Sequence, residues 1–495
     1  MNVLTKIIIS LCIIIYSLSL RAYSESIPIN KDGAKFFNTD KSAGIPRLGK
    51  LGHNAIWIDV DSDGCQDLFA SITDHRSPPF NFLYKNKCDG SFELHGNSGI
   101  KTDGALIISS SAGDYDNDGL VDLVLGTNSY YSALKLYKNI GGHFIESSNL
   151  ANLNVQSIAR TVSFVDFDAD GFLDLFQLAG KRVFLYKNDG NGIFDDVTFD
   201  SNLPTDSRNT RSALWFDYNA DMLADLLILG KGHNTLFRNE GKGVFTDVSV
   251  ESRLRGKKKW RSQAACAGDI DNDGDLDVFV VNIASKRNAL YINNSDGSFS
   301  DITDKARIRG IGDGRTCSMI DYNSDGFLDI FTTNHINPTR LYRNLGNRKF
   351  YEVAHKHNVS TPIDAFTSTW GDYNGDAILD FFVNGHFGNA IFEGFNTNNS
   401  VIIELVGDGK HTNTSAIGSR AKLKTKSRTQ TRYVIGGKGC CENDMLPLHF
   451  GLGEEKKFEL IVTWTSGNIC RFNNLNAGEK RFYKVLEKGC EVSSY

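Results

Sequence analysis

The sequence predicts an all-β protein: a seven-bladed β-propeller closed by an N-terminal strand and followed by a small C-terminal β-sandwich-like domain. Three observations predict it. An acidic nine-residue motif recurs seven times at near-constant spacing, a fixed succession of short apolar runs surrounds each copy, and one outer-strand motif is displaced to the amino-terminal side of the repeats.

The motif first reads Asp59-Val-Asp61-Ser-Asp63-Gly64-Cys-Gln-Asp67 and starts again at Asp114, Asp166, Asp217, Asp269, Asp321 and Asp372, in steps of 55, 52, 51, 52, 52 and 51 residues. A short apolar or small-residue run precedes the loop (Ala55 to Ile58, Thr161 to Val165, Ser212 to Phe216) and another follows (Leu123 to Leu125, Val278 to Val281), each reading as a strand. A third strand carries Leu83-Tyr-Lys-Asn86, Leu136-Tyr-Lys-Asn139, Leu185-Tyr-Lys-Asn188, Leu236-Phe-Arg-Asn239, Leu290-Tyr-Ile-Asn293 or Leu341-Tyr-Arg-Asn344. A fourth opens at Phe92, Phe144, Phe194, Phe245, Phe299 or Phe350. Four short strands per unit form a blade. The seventh unit lacks its Phe-led strand, whereas Phe36 to Ile45 matches Phe299 to Ile308 yet precedes the first loop. That segment is expected to complete the last unit and to remove open sheet edges.

Carboxylates at alternate positions, a glycine at the sixth and a carboxylate at the ninth can converge on one cation, and hard oxygen donors favour Ca2+ over Mg2+. Position twelve is Ala70, Leu125 or Gln177 rather than glutamate, and strands flank the loop, which excludes an EF-hand. The expected ligands are Asp59, Asp61, Asp63, Asp67; Asp114, Asp116, Asp118, Asp122; Asp166, Asp168, Asp170, Asp174; Asp269, Asp271, Asp273, Asp277; and Asp321, Asn323, Asp325, Asp329. The loops starting at Asp217 and Asp372 place Met222 and Ala377 where glycine belongs. A left-handed turn there costs about 1–2 kcal/mol, so these two are expected to be empty or differently turned, leaving about four to five Ca2+ ions as scaffold.

These loops, with the Leu-Asp-Leu strands that follow them, resemble the FG-GAP/VCBS repeats of integrin α-subunit propellers and many exported proteins, over residues 36–392. Downstream, Ile417 to Leu423, Leu448 to Gly453, Leu460 to Gly467 and Ala477-Gly478 resemble the ASPIC/UnbV domain. Together they resemble the cartilage acidic protein family. The resemblance implies a secreted calcium-binding protein whose relatives are linked to matrix or cell-surface interaction. The Cys440-Cys441 pair departs from the family, and no Cys-rich EGF-like tail follows residue 490, so tail-dependent roles are not expected.

Composition agrees with a compact, turn-rich chain: 495 residues, 40% hydrophobic, 23% charged, and 47 Gly against 8 Pro. Lys6, the apolar run Ile7 to Leu20 and Ala22-Tyr23-Ser24 read as an export signal, the run being shorter than the ~20 residues of a spanning helix. The expected organisation is a signal peptide over 1–24, the propeller over 25–396, an ASPIC/UnbV-like β domain over 397–488 and a tail over 489–495. The expected location is outside the cytoplasm: extracellular, cell-surface or periplasmic. Eight cysteines follow the leader without zinc-type spacing, which favours disulfides; Cys440, Cys441, Cys470 and Cys490 are expected to staple the carboxy-terminal domain. Sequons stand at Asn293, Asn358, Asn398 and Asn413.

Arg160, Arg211 and Arg315 each lie six residues before a loop's first Asp, and Arg261 lies eight before. Repeat symmetry places them around the mouth opposite the loops. Lys257, Lys258 and Lys259 belong to a run with six basic residues in nine, on a chain of net charge −5. This face is the candidate surface for an acidic glycan or a carboxylate-rich extracellular or cell-surface protein; the competing reading is a solvated loop with arginines that neutralise nearby aspartates. Nucleic acid is excluded by export and by the lack of base-stacking repeats, and no membrane span is expected after signal cleavage. The alternative function is a secreted polysaccharide lyase or hydrolase using His335 and His386 at the same mouth. No nucleophile signature or acid partner accompanies them in the sequence, so no catalytic residue is assigned and a non-enzymatic interaction module is expected.

Overall fold

The computed structural model describes residues 33–494 except 47–50, 75–76, 103, 130–133, 154–156, 180–181, 205–208, 285, 309, 311–312, 336, 362–363, 438–441 and 479. The expected leader and Cys440-Cys441 lie outside the described residues.

The third repeat shows the unit. Strand Ala159–Val165 runs into the acidic loop, Asp174–Ala179 returns, and Val183–Asn188 and Phe194–Asp196 complete an antiparallel sheet in sequence order. Asp174–Ala179 is buried along its whole length because neighbouring sheets cover both of its faces. Its side chains are therefore mostly apolar on both faces, Leu175, Phe176, Leu178 and Ala179, with Gln177 the buried polar exception after the loop's Asp174. The outer strand shows only Phe194 to the interior and turns Asp195 and Asp196 outward, which is why three residues suffice. Six further sheets repeat this plan. In the last, Lys35–Asn38 pairs antiparallel with Gly388–Phe395, with Phe36 opposite Gly394.

Neighbouring repeats are joined by the asparagine that ends each third strand. Asn188 Nδ2 donates to Leu173 O in its own repeat and to Tyr115 O in the preceding one. Asn139, Asn239, Asn293 and Asn344 donate in the same way to Val60, Phe167, Tyr218 and Ile270 of the preceding repeats. Asn86 of the first repeat donates to Tyr373 O of the seventh. A disulfide, Cys266–Cys317, further ties the fifth and sixth repeats, and Cys65–Cys88 pins the first loop to the turn after the third strand.

The carboxy-terminal residues form two four-stranded sheets. One orders Leu448–Gly453, Asn399–Val406, Phe482–Leu486 and Glu491–Ser494; the other orders Thr429–Tyr433, Arg420–Lys424, Lys457–Thr463 and Ile469–Asn476. Trp464, Phe450, Leu460 and Val462 are buried between them, and Cys470–Cys490 links the two sheets.

The sheets correct the expected fold class, a closed seven-bladed β-propeller with a β-sandwich-like domain after it. Among the described residues every sheet is open, with an edge strand on each side, and none closes on itself. Contact between repeats passes through side-chain packing, asparagine amides, the Cys266–Cys317 disulfide and single backbone hydrogen bonds such as Phe194 N–H to Ala151 O (3.1 Å), instead of a continuous hydrogen-bonded sheet. Nor does the carboxy-terminal part simply follow. It covers the loop end of the repeats and shares one core with Tyr115, Phe164 and Phe194 of the second and third repeats. Its Glu442–Asn443 segment pairs in parallel with Ala55 and Ile56, making the first sheet five-stranded. Around it, Trp370 N–H donates to Asp444 Oδ1 (2.8 Å), Met445 N–H to Trp370 O (3.0 Å), and Ser111 Oγ–H to Gly436 O. Inner strands rich in Ser, Thr, Ala and Gly leave room and polar groups for this segment, which an alternating strand pattern does not reveal.

Candidate cation loops and a basic face

Each acidic loop is built by its own backbone. The first Asp takes two amides with its two oxygens: Asp170 N–H donates to Asp166 Oδ1 and Gly171 N–H to Asp166 Oδ2, both at 3.1 Å. The ninth takes two more, from Phe167 N–H (3.1 Å) and Asn188 N–H (2.8 Å) to Asp174. Gly171 has φ 89°, a left-handed conformation in which glycine is unstrained. Met222 and Ala377 adopt φ 70° and 61° at the corresponding position, and Asp217 and Asp372 still accept the equivalent amides. Of the two outcomes expected for these loops, empty or differently turned, the different turn is not found: both keep the left-handed residue.

Oxygens of the first, third and ninth carboxylates lie within 4.8 Å of one another in Asp59/Asp61/Asp67, Asp114/Asp116/Asp122 and Asp166/Asp168/Asp174. The fifth carboxylates are used differently. Asp63, Asp118, Asp170, Asp273 and Asp325 each accept the N–H two residues ahead, at 2.9–3.1 Å, and so cap the turn. At the third position, Asp61 Oδ1, Asp116 Oδ1, Asp168 Oδ1 and Asp271 Oδ1 are buried without a hydrogen-bond partner among the described residues. A buried, unsatisfied carboxylate oxygen is costly unless a cation meets it, and four equivalent ones make these loops compatible with a divalent ion. Where asparagine replaces the third Asp, the loop closes on itself: Asn219 Nδ2 donates to Asp221 Oδ2 (2.7 Å) and Asn323 Nδ2 to Asp325 Oδ2 (2.9 Å). Asn323 thus occupies Asp325 with an amide, in a loop expected to hold an ion through both.

Burial pushes these acids upward. Asp59 and Asp114 rise to about 6, and Asp67, Asp166 and Asp269 to about 7, with neighbouring carboxylates adding to the effect. Asp122, Asp174, Asp277 and Asp329 are held well above the usual range for the same reason. Lysines of the third strand relieve part of the charge, with Lys85, Lys138 and Lys187 bonded to Asp61, Asp116 and Asp168. The fifth loop meets Arg348 at Asp271 (2.5 Å) and the sixth meets Arg343 at Asp325 (3.5 Å), and both also face Arg432, buried in the carboxy-terminal sheet and donating to Thr431 O (3.0 Å) and Gln430 Oε1 (3.2 Å), whose charge acts on Asp269, Asp321 and Asp329. No pattern in the repeats signals Arg432. Thr414 Oγ1–H likewise donates to Asp114 Oδ2 at the second loop.

The opposite ends of the same strands carry the arginines. Arg160, Arg211 and Arg315 lie near the starts of Ala159–Val165, Thr210–Phe216 and Asp313–Ile320, and Arg261 just precedes Ser262–Gly268. Arg211 feels the charges of Arg160 and Arg261; Arg315, lowered by burial, feels Asp364 and Asp313 first and Arg211 after them. Arg211 Nη1 reaches Gln263 Oε1 at 3.2 Å. The Nε atoms of Arg160 and Arg315 are buried without a hydrogen-bond partner among the described residues. Lys257, Lys258 and Lys259 are exposed, and Lys257 rests over the Trp260 ring at 5.5 Å. His335 and His386 share this face, and they do have an acid partner, Asp364, 29 and 22 residues distant in sequence, which a local motif search passes over. Asn293 and Asn413 are fully packed and hydrogen-bonded within the fold, so these two sequons are structural.

The FG-GAP-like repeat model matches residues 59–125, 114–177, 166–228, 217–280, 269–332 and 321–383, and the ASPIC and UnbV model matches 409–490. Cartilage acidic protein 1 of Xenopus tropicalis is 23% identical over 72% of this chain and 70% of its own length; the human protein is 28% identical over 52% of this chain. The match spans 40% of the human protein's length and 38% of the mouse protein's. Among solved structures, YCF48 bound to D1 peptide aligns at 8% identity and TM-score 0.46, over 75% of this chain and all of that one. Among the described residues no helix is long and apolar enough to cross a membrane. The chain belongs to the FG-GAP-like repeat family, with an ASPIC and UnbV domain on its carboxy-terminal side, and is similar to cartilage acidic protein 1.

Proposed function

We propose that the protein is a calcium-stabilised interaction module acting outside the cytoplasm, which binds an acidic glycan or a carboxylate- or sulfate-rich protein surface at its arginine-lined mouth. It is non-enzymatic: its family relatives and the use of its carboxylates for turn capping and cation clusters both point that way. Ca2+ would be held by the first, third and ninth carboxylates of loops one, two, three and five, with the orphaned third-position oxygen as the supporting observation. Loops six, four and seven, with asparagine at the third position, bind more weakly or not at all.

The observation that supports the ligand reading is that arginines of four successive repeats stand at one end of their strands, with Arg211 near enough to feel Arg160 and Arg261, and Arg315 near enough to feel Arg211. Gathered like charges with buried, unpartnered Nε atoms are unfavourable until an anion supplies acceptors, and the planar guanidinium fork suits carboxylate and sulfate. The test is binding of the calcium-loaded chain to an array of sulfated and carboxylated glycans. Arg160→Ala combined with Arg211→Ala is expected to weaken binding at least tenfold, while charge reversal at Lys257, Lys258 and Lys259 changes mainly its salt dependence. Unchanged binding by the double arginine variant would sink the proposal.

A further inference from the structure

His335 ends the Asp329–His335 strand, Asp364 precedes Ala365–Gly371, and His386 follows Asp380–Gly385. The sixth and seventh repeats therefore deliver three side chains to one point on the face opposite the acidic loops. His335 Nδ1 lies 2.7 Å from Asp364 Oδ1 and His386 Nδ1 lies 3.1 Å from Asp364 Oδ2. The donor atoms of all three sit within 4.8 Å of one another. The backbone fixes the set: His386 N–H donates to Asp364 O at 3.0 Å, and Asp364 takes φ 51°, a left-handed conformation that aims its carboxylate between the two rings. Phe366 lies beneath, with its centroid 5.5 Å from the His386 ring and 6.5 Å from the His335 ring.

We propose that His335, Asp364 and His386 form a second kind of metal site, taking a borderline divalent cation such as Zn2+ through two imidazole nitrogens and one carboxylate oxygen. The chemistry differs from that of the loops. Hard, all-oxygen clusters suit Ca2+, whereas imidazole donors suit zinc and its neighbours in the first transition row. Ligands held about 2.0–2.2 Å from a zinc ion stand roughly 3–3.5 Å apart, close to the observed spacing. Asp364 is buried at 7% exposure while the imidazoles are exposed at 30% and 36%, so the ion would be anchored from below and open to solvent for further ligands. Arg315 stacks over Phe366 at 4.5 Å. Its charge also acts on Asp364, so a positive group stands near the cluster and favours an anionic exogenous ligand. The competing arrangement is a carboxylate that accepts two imidazole N–H groups and holds no metal.

Titration of the full mature chain with Co2+ in excess Ca2+ separates the two. One equivalent of Co2+ is expected to bind with a visible absorption band, and Zn2+ to displace it. His335→Ala and His386→Ala, both at partly exposed positions, are each expected to weaken binding at least tenfold. Asp168→Asn, in an acidic loop, is expected to leave the band unchanged. Failure to bind Co2+ stoichiometrically, or an undiminished band in the double histidine variant, overturns the proposal.

Discussion

The two ends of the repeat strands carry opposite chemistry on one scaffold. At the loop end, carboxylates are packed by their own turn amides, partly neutralised by Lys85, Lys138, Lys187 and Arg432, and covered by the carboxy-terminal sheets. At the other end, roughly 20 Å away for a seven-residue strand, arginines and histidines collect, and among the described residues no comparable pair of sheets covers them. The acidic end is assembled within each repeat, so any one loop can be read alone. The basic end exists only between repeats. The first can thus be altered loop by loop, whereas the second responds to anything that moves neighbouring repeats.

The largest test of this contrast is chelation. At pH 7, EDTA is expected to lower the thermal midpoint by on the order of 10 °C, because several sites lose their ligand together. The pH dependence carries the sign. Burial raises Asp59 to about 6 and Asp67 and Asp166 to about 7, above the ordinary 3.8. The folded cation-free chain then binds more protons than the unfolded chain between those values. The stability these carboxylates contribute is full below about pH 4 and is lost as pH rises toward 7. With Ca2+ the slope reverses, since the ion binds the ionised carboxylates. Equal slopes with and without Ca2+ in a pH series of thermal melts would break the comparison.

Next in size is Asn188→Ala, which strips Tyr115 O and Leu173 O of a buried donor. The expected cost is about 2–3 kcal/mol in chemical denaturation, with loosening at both ends because the amide joins two repeats. A loss confined to the third loop would show that repeats are held by packing alone. The smallest effect is expected from Thr414→Val, which removes one hydroxyl donor from Asp114. About 1 kcal/mol is expected, with Ca2+ binding altered at the second loop and the arginine face untouched. A change in anion binding would mean that the two ends communicate.

Much of the repeat architecture is legible along the chain, because its causes are local. Asp spacing, the sixth-position glycine and the third-strand asparagine all act within a few tens of residues, and the Lys35–Asn38 strand is visible as a displaced copy of a repeated motif. The turn at Met222 and Ala377 is legible in its cost but not in its outcome, since packing decides whether that cost is met. Asp364 escapes a motif search because its imidazole partners belong to other strands. Amino-acid sequence by itself determined the number and order of the repeats, the acidic loops and the set of basic residues, each set by short-range geometry. Tertiary structure alone decided that the sheets stay open, that the carboxy-terminal sheets cover the loop end with Arg432 buried against it, and that two histidines meet one carboxylate. Those arrangements depend on side chains far apart in the chain packing against one another, and no local periodicity encodes them.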